Sequence, residues 1–391
     1  MNALDRESQY FFHTYKRIPL EIERGEGVYL FTKDGRRYLD MFAGLAVNAL
    51  GYGHPNVLKA IDGQVRKYIH LSNYYLQEPQ LQLAESMIKY SGYQKIFFAN
   101  SGTEAIEGAI KTVRKWGSKK GKSEIISFTN AFHGRTMGAL SMMDRPKYRE
   151  GYEPFLDRFS IVEFNNIRAL QQAVTSKTAA IVLEFIQGEG GIAPVTREFA
   201  GEIQRLKDTF GLLVVADEIQ CGIGRTGKFF GFQHFSVTPD IVVVAKPLGG
   251  GLPLGAILGN AAVANVLEPG VHGTTFGGNP VACAAGIAVL EEIMDHGLIN
   301  NAEKMGNVLT SRLLELKAQF PKLVTDVRGY GLMVGMELTR DGEPIVTALR
   351  ERGILLNCTN QNVLRFLPPL IITEKEIIET TEALRSIFSG L

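Results

Sequence analysis

Short apolar runs that alternate with helical patterns are the feature that most constrains the fold of this chain. The runs cover residues 95–99, 124–128, 179–185, 212–216 and 241–245. Runs of this length are typical of buried strands, and residues 103–116 and 197–210 carry apolar side chains at helical spacing. Strands that alternate with helices predict an α/β fold with a mostly parallel sheet covered on both faces.

The two ends of the chain carry a different pattern. Residues 33–36 read Lys-Asp-Gly-Arg between two short apolar runs, which is typical of a β-hairpin. Beyond about residue 289, amphipathic helices mix with strand candidates at 333–337 and 363–366. We therefore predict a large domain over residues 49–288 and a smaller α+β domain formed by residues 1–48 and 289–391.

Composition limits the partners and the compartment. The formal net charge of +1 gives no reason to expect a nucleic-acid or membrane partner. The three cysteines have no CxxC spacing, which indicates a reducing compartment without disulfides. Neither a signal peptide nor an apolar stretch of membrane-spanning length is visible, so we expect a cytoplasmic protein. The seven histidines are dispersed, so no metal site is expected.

Chemistry is expected beyond the carboxyl ends of the strands, where open parallel sheets bind their ligands. Lys246 directly follows the apolar run 241–245. Loss of hydration at the mouth of a buried strand lowers a lysine pKa, and a partly neutral lysine can form a Schiff base. An ordinary lysine whose ammonium group extends to solvent is the alternative.

A candidate anion site opens the helix after the first run. Ser101, Gly102 and Thr103 stand where free backbone amides and the helix dipole attract an anion. The alternative is a plain helix cap in which Ser101 or Asn100 caps the helix and Glu104 completes a capping box.

The second run is followed by an aromatic ring, an imidazole and a guanidinium in one glycine-containing loop. Phe132 can cover a ligand or pack in the core, and His133 stands next to it. Arg135 is a candidate for binding a carboxylate with its guanidinium. A solvated surface arginine is an equally good interpretation.

Two acidic residues follow the third and fourth runs. Glu184 and Asp217 each come directly after apolar residues, so both should be buried and paired with cations. Structural ion pairs without a chemical role are the alternative for both.

One ligand accounts for the whole set. Pyridoxal phosphate needs an anion site for its phosphate, a carboxylate for its ring nitrogen, an apolar flank for its ring and a lysine for its aldehyde. All four types of group follow predicted strands in this chain. The sequence therefore predicts a pyridoxal-phosphate site at this edge of the sheet.

Motifs along nearly the whole chain resemble those of class III (subgroup II) pyridoxal-phosphate aminotransferases of fold type I. Within that class, the chain is most similar to acetylornithine aminotransferases. The similar segments are residues 44–48, 53–55, 72–73, 100–105, 132–136, 187–191, 217–220, 246, 272–280 and 364–369. The resemblance implies a large domain with a mostly parallel, seven-stranded type of sheet.

The resemblance also implies roles around the cofactor. Lys246 would form the Schiff base and carry the proton, and Asp217 would hold the ring nitrogen protonated. The other cofactor-binding residues would be Ser101, Gly102, Thr103, Phe132, His133, Ile219 and Gln220. Thr103 stands where many relatives have alanine, and its hydroxyl could still donate to the phosphate. Thr275 would bind the phosphate of a neighbouring subunit and Thr274 would lie beside the substrate, which implies a homodimer with shared active sites.

Three further residues would bind substrate according to the same resemblance. Arg135 would hold the distal carboxylate, and Arg365 would take the α-carboxylate of glutamate or 2-oxoglutarate. Glu184 would be the movable acidic partner of Arg365, masking its charge when the amine donor is bound.

The implied reaction is transfer of the ω-amino group of N-acetylornithine to 2-oxoglutarate, giving N-acetylglutamate 5-semialdehyde and glutamate. Ornithine, N-succinylornithine, 4-aminobutyrate and a carrier-linked lysine are alternative donors. An aminomutase of the glutamate-1-semialdehyde type and a non-enzymatic binding protein on the same fold are alternatives of other classes.

Overall fold

A seven-stranded sheet forms the centre of the molecule. The computed structural model describes residues 3–391. Across the sheet the strands follow in the order Lys95–Ala99, Gly255–Gly259, Ile241–Val244, Leu213–Asp217, Thr178–Leu183, Glu124–Phe128 and Phe159–Val162. The strand Gly255–Gly259 runs antiparallel to both of its neighbours, and the other adjacent pairs are parallel. The predicted α/β fold with a mostly parallel sheet is confirmed.

Alternate side chains of the central strands enter two separate cores. Val214 and Ala216 pack in one apolar cluster, whereas Leu213 and Val215 pack in the other. The helix Arg197–Phe210 contributes buried side chains to the first cluster, and the helix Gly102–Ser118 contributes buried side chains to the second. Because both faces of the sheet are covered, ligands reach the strands only at their ends.

The remaining elements surround this sheet. The other helices are Ala3–Tyr10, Pro55–Val65, Glu78–Ser91, Met137–Ser141, Pro146–Arg149, Ile167–Ala173, Pro280–Met294, Leu298–Gln319, Glu343–Glu351 and Glu374–Ser389. Short 3₁₀ turns cover Gly231–His234 and Lys246–Gly249, and a small hairpin pairs Ile186–Gln187 with Ala193–Pro194.

Segments from the two ends of the chain share one sheet. The strands Ile22–Glu26, Tyr29–Thr32 and Arg37–Asp40 form an antiparallel unit, and Ile354–Leu355 pairs in parallel with its last strand. A second sheet contains Val324–Tyr330, Met333–Leu338, Val363–Phe366 and Asn357–Thr359 in that order. This pairing agrees with a unit built from both chain ends. The domain boundaries themselves stay a prediction, and residues 1 and 2 lie outside the described part.

Within residues 3–391, no helix has the length and apolar character needed to cross a membrane. The three cysteines of this part are free thiols.

Candidate active site

A cavity of about 480 Å³ opens at the carboxyl ends of the central strands. It brings together most of the residues predicted from the strand ends, which come from loops far apart in sequence. Its lining consists of Val47, Asn100, Ser101, Gly102, Thr103, Phe132, His133, Gly134, Arg135, Glu184, Asp217, Ile219, Gln220, Ala245, Lys246, Gly251, Leu252, Pro253 and Leu254.

Lys246 enters this cavity from the end of the strand Ile241–Val244. Its backbone has a φ of 36°, in the left-handed region that a side chain of its kind rarely adopts. Burial lowers the pKa of the Lys246 ammonium, while the negative charges of Asp217 and Glu184 partly oppose that shift. A lysine held in this way is closer to its nucleophilic, neutral form than a surface lysine.

Asp217 is a buried carboxylate at the end of the strand Leu213–Asp217. One of its oxygens lies 2.8 Å from Nδ1 of His133, and the other accepts a hydrogen bond from the Ile219 amide at 3.1 Å. Burial opposes the charging of His133, but the hydrogen bond and the charge of Asp217 outweigh it and raise the pKa of the imidazole. The short contact between His133 and Asp217 fixes the carboxylate at the cavity wall, where it can accept from a ring N–H.

Glu184 is buried at the cavity wall, and within residues 3–391 no cation is bonded to its carboxylate. Its two oxygens accept hydrogen bonds from the backbone amides of Phe132 at 2.9 Å and Gly188 at 3.0 Å. Burial and the nearby charge of Asp217 raise the pKa of Glu184 to about 7. The cationic partner that the sequence predicted for this carboxylate is therefore replaced by two peptide N–H groups.

The expected pairing of Glu184 with Arg365 is wrong. Nη1 of Arg365 lies 2.6 Å from Oε1 of Glu189, and Nε of Arg365 donates to Asn357 at 3.1 Å. Arg365 is only 1% exposed. Burial alone would raise the pKa of Glu189, but Arg365 outweighs it and lowers that pKa, so the pair is ionic.

The small hairpin after the strand Thr178–Leu183 determines which glutamate reaches Arg365. Glu184 precedes the hairpin and is fixed by its backbone bonds, whereas Glu189 stands in the hairpin loop that reaches Arg365. Glu189 was missed as a site residue although it belongs to the segment 187–191 used for the family resemblance. Its position between Gly188 and Gly190 was the available signal for an acid on a loop.

The candidate anion site lies at the start of the helix Gly102–Ser118. Ser101 is the N-cap, and its hydroxyl accepts from the Glu104 amide at 3.3 Å, while the Glu104 carboxylate accepts from the Asn100 amide. The plain capping interaction is thus present. The cap does not use the backbone amides of Gly102 and Thr103. Amides at the first positions of a helix have no partner within the helix, and both residues line the cavity.

Thr103 also connects the anion site to the loop with the aromatic ring. Its hydroxyl lies 3.0 Å from the Thr136 hydroxyl and accepts from the Arg135 amide at 3.2 Å. Gly134 passes so close that a methyl group there would come within 2.2 Å of the Thr103 hydroxyl. The hydroxyl therefore holds this loop against the helix start.

Phe132 and Ile219 both line the cavity and offer apolar surfaces on which a ring can stack. The exposed guanidinium of Arg135 lies 4.0 Å from the centre of the Tyr148 ring. No carboxylate forms an ion pair with Arg135 within the described part of the chain. A guanidinium that is supported by an aromatic ring and lacks an acidic partner is suited to a substrate carboxylate.

Thr274 and Thr275 lie outside the cavity wall. The Thr274 hydroxyl accepts from Asn100 at 3.0 Å, and its carbonyl accepts from Asn73 at 3.0 Å, whereas Thr275 is exposed. Gln220, in contrast, lines the cavity, and its carbonyl oxygen lies 3.4 Å from Nη1 of Arg365.

The donor set suits pyridoxal phosphate. A lysine with a lowered pKa, a buried carboxylate, two apolar flanks and the free amides of a helix start line one cavity. Nε2 of His133 is buried without a hydrogen-bond partner among the described residues, so the polar network around Asp217 is incomplete in the protein alone.

Comparisons with known proteins agree with this geometry. The family model described as "Aminotransferase class-III" matches residues 10–388. The acetylornithine aminotransferase of Caldanaerobacter subterraneus subsp. tengcongensis is 47% identical over 389 residues, covering 98% of each chain. That of Methanocaldococcus jannaschii is 43% identical and covers 100% of this chain and 98% of its own.

Solved structures of aminotransferases are also similar to this chain. The ornithine aminotransferase from Toxoplasma gondii ME49 superposes with a TM-score of 0.94 at 32% identity, covering 99% of this chain and 94% of that chain. The acetylornithine aminotransferase from Elizabethkingia anophelis superposes with a TM-score of 0.90 at 32% identity, with 99% and 98% covered. The chain therefore belongs to the class III aminotransferases, whose cofactor is pyridoxal 5′-phosphate.

Proposed function

We propose that this enzyme transfers the ω-amino group of N-acetylornithine to 2-oxoglutarate and releases N-acetylglutamate 5-semialdehyde and glutamate. The buried ion pair between Arg365 and Glu189 is the observation that carries the proposal. A cavity that must accept a carboxylate in one half-reaction and an uncharged chain in the other needs a cation that can be masked. The names of the two relatives cited above support the choice of donor.

The roles proposed at the cofactor come from the family resemblance, and the positions of the residues around the cavity support them. When bound, pyridoxal phosphate supplies a carbonyl that reacts with amines and a ring that accepts electrons. Lys246 holds it covalently between turnovers and moves the proton at the substrate carbon that bears the amine. Asp217, supported by His133, holds a proton on the ring nitrogen. The amides of Gly102 and Thr103 bind the phosphate.

The two arginines divide the recognition of substrate carboxylates. Arg135 takes the carboxylate far from the reacting amine in both half-reactions. Arg365 takes the α-carboxylate of 2-oxoglutarate or glutamate after Glu189 has moved away. The Glu189 carbonyl accepts hydrogen bonds from Arg145 at 2.6 Å and Thr359 at 2.9 Å, so its side chain can rotate while its backbone stays in place.

A parallel comparison of amino donors tests this proposal. The kcat/KM values of N-acetylornithine, N-succinylornithine, ornithine and 4-aminobutyrate are measured with 2-oxoglutarate as acceptor. We expect the highest value for N-acetylornithine and no turnover without an acceptor. A higher value for another donor reassigns the substrate, and turnover without 2-oxoglutarate indicates an aminomutase.

We also propose a homodimer with shared active sites. Large apolar side chains are exposed beside the Thr274 loop: Tyr74 is 95%, Leu76 is 89% and Phe276 is 59% exposed. Exposed apolar patches of this kind mark protein interfaces. Thr275 would then reach the phosphate bound by the partner subunit, and the compartment would be the cytoplasm.

Hybrid dimers test the shared sites. A Lys246→Ala chain and a Thr275→Glu chain are each expected to be inactive, because the first lacks the lysine and the second repels the phosphate. A mixed dimer would contain one intact site, so random pairing should restore about a quarter of the wild-type activity. Mixtures that stay inactive would show that each subunit builds its site alone.

A further inference from the structure

One turn near the cavity has a backbone that its sequence does not favour. Ala43, Gly44, Leu45 and Ala46 have φ values of 48°, 60°, 65° and 65°. These residues form one left-handed turn, and a side chain in this region brings its Cβ close to the following carbonyl oxygen. Only one of the four residues is a glycine, so the surroundings must impose the conformation.

Asp40 is the residue that holds this left-handed turn. Its Oδ1 accepts from the amides of Phe42 at 2.9 Å and Ala43 at 3.0 Å, and its Oδ2 accepts from the Tyr52 hydroxyl at 2.6 Å. Asp40 is 2% exposed. One oxygen therefore fixes the entry into the turn, where the backbone changes hand, and the other oxygen is held by Tyr52.

Arg225 is a buried cation near Asp40. Burial raises the pKa of Asp40, and the charge of Arg225 partly opposes that rise. The guanidinium of Arg225 acts on Asp40 electrostatically and donates to the carbonyls of Leu332 and Pro368. Its Nη2 is buried without a hydrogen-bond partner among the described residues. Loss of the Asp40 charge would leave this guanidinium without its counter-charge.

The left-handed turn and its flanking residues touch segments of the active site. The turn itself contacts the 3₁₀ turn Lys246–Gly249. Two residues before the turn, the carbonyl of Met41 accepts a hydrogen bond at 2.8 Å from the amide of Leu367, which lies two residues after Arg365. Val47, which directly follows the turn, lines the same cavity as Lys246.

We propose that Asp40 is a positioning residue of the active site, which holds the left-handed turn so that Val47 forms part of the substrate wall and the Lys246 segment stays in place. The inference deepens the function proposed above, since it concerns the same cavity. It requires only that the enzyme binds its cofactor and an amino donor, whichever donor that is.

The variants Asp40→Asn and Tyr52→Phe test this role. In Asp40→Asn the amide oxygen can still accept from Phe42 and Ala43, but the charge and the bond from Tyr52 are altered. Tyr52→Phe removes one hydrogen bond and leaves the carboxylate. Tyr29→Phe is the matched control, because Tyr29 donates to the Glu376 carboxylate at 3.0 Å and does not line the cavity.

Kinetics are measured with the donor that the wild type uses best. Misplacement of a binding wall should raise the KM of Asp40→Asn about tenfold and change kcat less. The pH titration of the visible absorbance of the bound cofactor should shift, because it reports the surroundings of Lys246. Tyr52→Phe should change the KM and the absorbance titration in the same direction as Asp40→Asn, but by a smaller amount. Tyr29→Phe should change neither the KM nor the absorbance titration.

A rescue variant separates positioning from general stability. Glycine adopts a positive φ without strain, so Ala46→Gly in the Asp40→Asn background should restore most of the KM and the absorbance titration. The proposal would be overturned if Asp40→Asn lowered the melting temperature but left the KM and the absorbance titration unchanged. It would also be overturned if Ala46→Gly failed to restore them in the Asp40→Asn background. An enzyme that rejects N-acetylornithine would refute only the proposed donor, because these comparisons use whichever donor the wild type accepts.

Discussion

Replacing Glu189 with glutamine tests the masking of Arg365. Glutamine keeps the size of the side chain and an oxygen that can accept from Nη1 of Arg365. It removes the negative charge, so the buried guanidinium is no longer neutralised. The variant should favour a substrate carboxylate at Arg365 over an uncharged substrate chain.

The expected size follows from the burial of the pair. The two charged atoms are 2.6 Å apart and Arg365 is 1% exposed, so little water screens the interaction. Removing one partner of a buried, hydrogen-bonded charge pair costs about 2–5 kcal/mol, and the lower end applies here because glutamine keeps the hydrogen bond. A difference of about 2 kcal/mol corresponds to a change of about 30-fold in the ratio of the two specificity constants.

The assay follows the two half-reactions separately by the absorbance of the bound cofactor. In Glu189→Gln, the specificity constant for glutamate should rise or stay the same, while the specificity constant for N-acetylornithine should fall. The ratio of the two constants should therefore shift about 30-fold. Glu184→Gln is the matched control, because Glu184 lies in the same loop region but bonds to backbone amides. It should leave the ratio unchanged even if both constants fall.

An unchanged ratio in Glu189→Gln would refute masking by this residue. A shift in Glu184→Gln of equal size would show that the hydrogen bonds of Glu184, rather than the ion pair, set the preference.

Two further predictions concern the cofactor pocket. The raised pKa of His133 means that its charge stabilises the folded apoenzyme fully below about pH 6.5, and that this stabilisation is lost as the pH rises through the folded pKa. Urea unfolding of the apoenzyme and of His133→Asn over a pH series should therefore show a difference that shrinks with rising pH, and a constant difference would contradict it. Gly134→Ala should lower the free energy of unfolding by about 2 kcal/mol or more, because Gly134 has a φ of 133° and faces Thr103. Gly121→Ala, at a φ of 68° with open space around it, is the control and should cost about 1 kcal/mol in thermal unfolding; equal losses would show that crowding at Thr103 is unimportant.

The sequence predicted five of the seven strands of the central sheet and missed the other two. The runs 95–99 and 124–128 match the observed strands, and the other three central strands differ by no more than two residues at either end. Gly255–Gly259 was missed because its terminal glycines resemble a loop. Phe159–Val162 was missed because it is an edge strand, with one polar side chain and partial exposure.

For the site, the sequence predicted the residues that directly follow buried strands. Contacts between loops that are distant in sequence could not be predicted in this way. Glu184 and Glu189 are five residues apart, and only the path of the hairpin decides which of them meets Arg365. The left-handed turn was also invisible, because Ala43, Leu45 and Ala46 are not turn-forming residues. Its conformation depends on Asp40 and on the packing around it.

Reduction with borohydride tests most directly the claim that the strand ends assemble a cofactor site around Lys246. The purified enzyme, loaded with pyridoxal phosphate, is reduced, digested and analysed by mass spectrometry, with Lys246→Arg as the control. We predict that the stable cofactor label lies on the peptide containing Lys246 and is absent from the control. A label on another lysine of the wild type, or equal labelling of the control, would contradict the assignment.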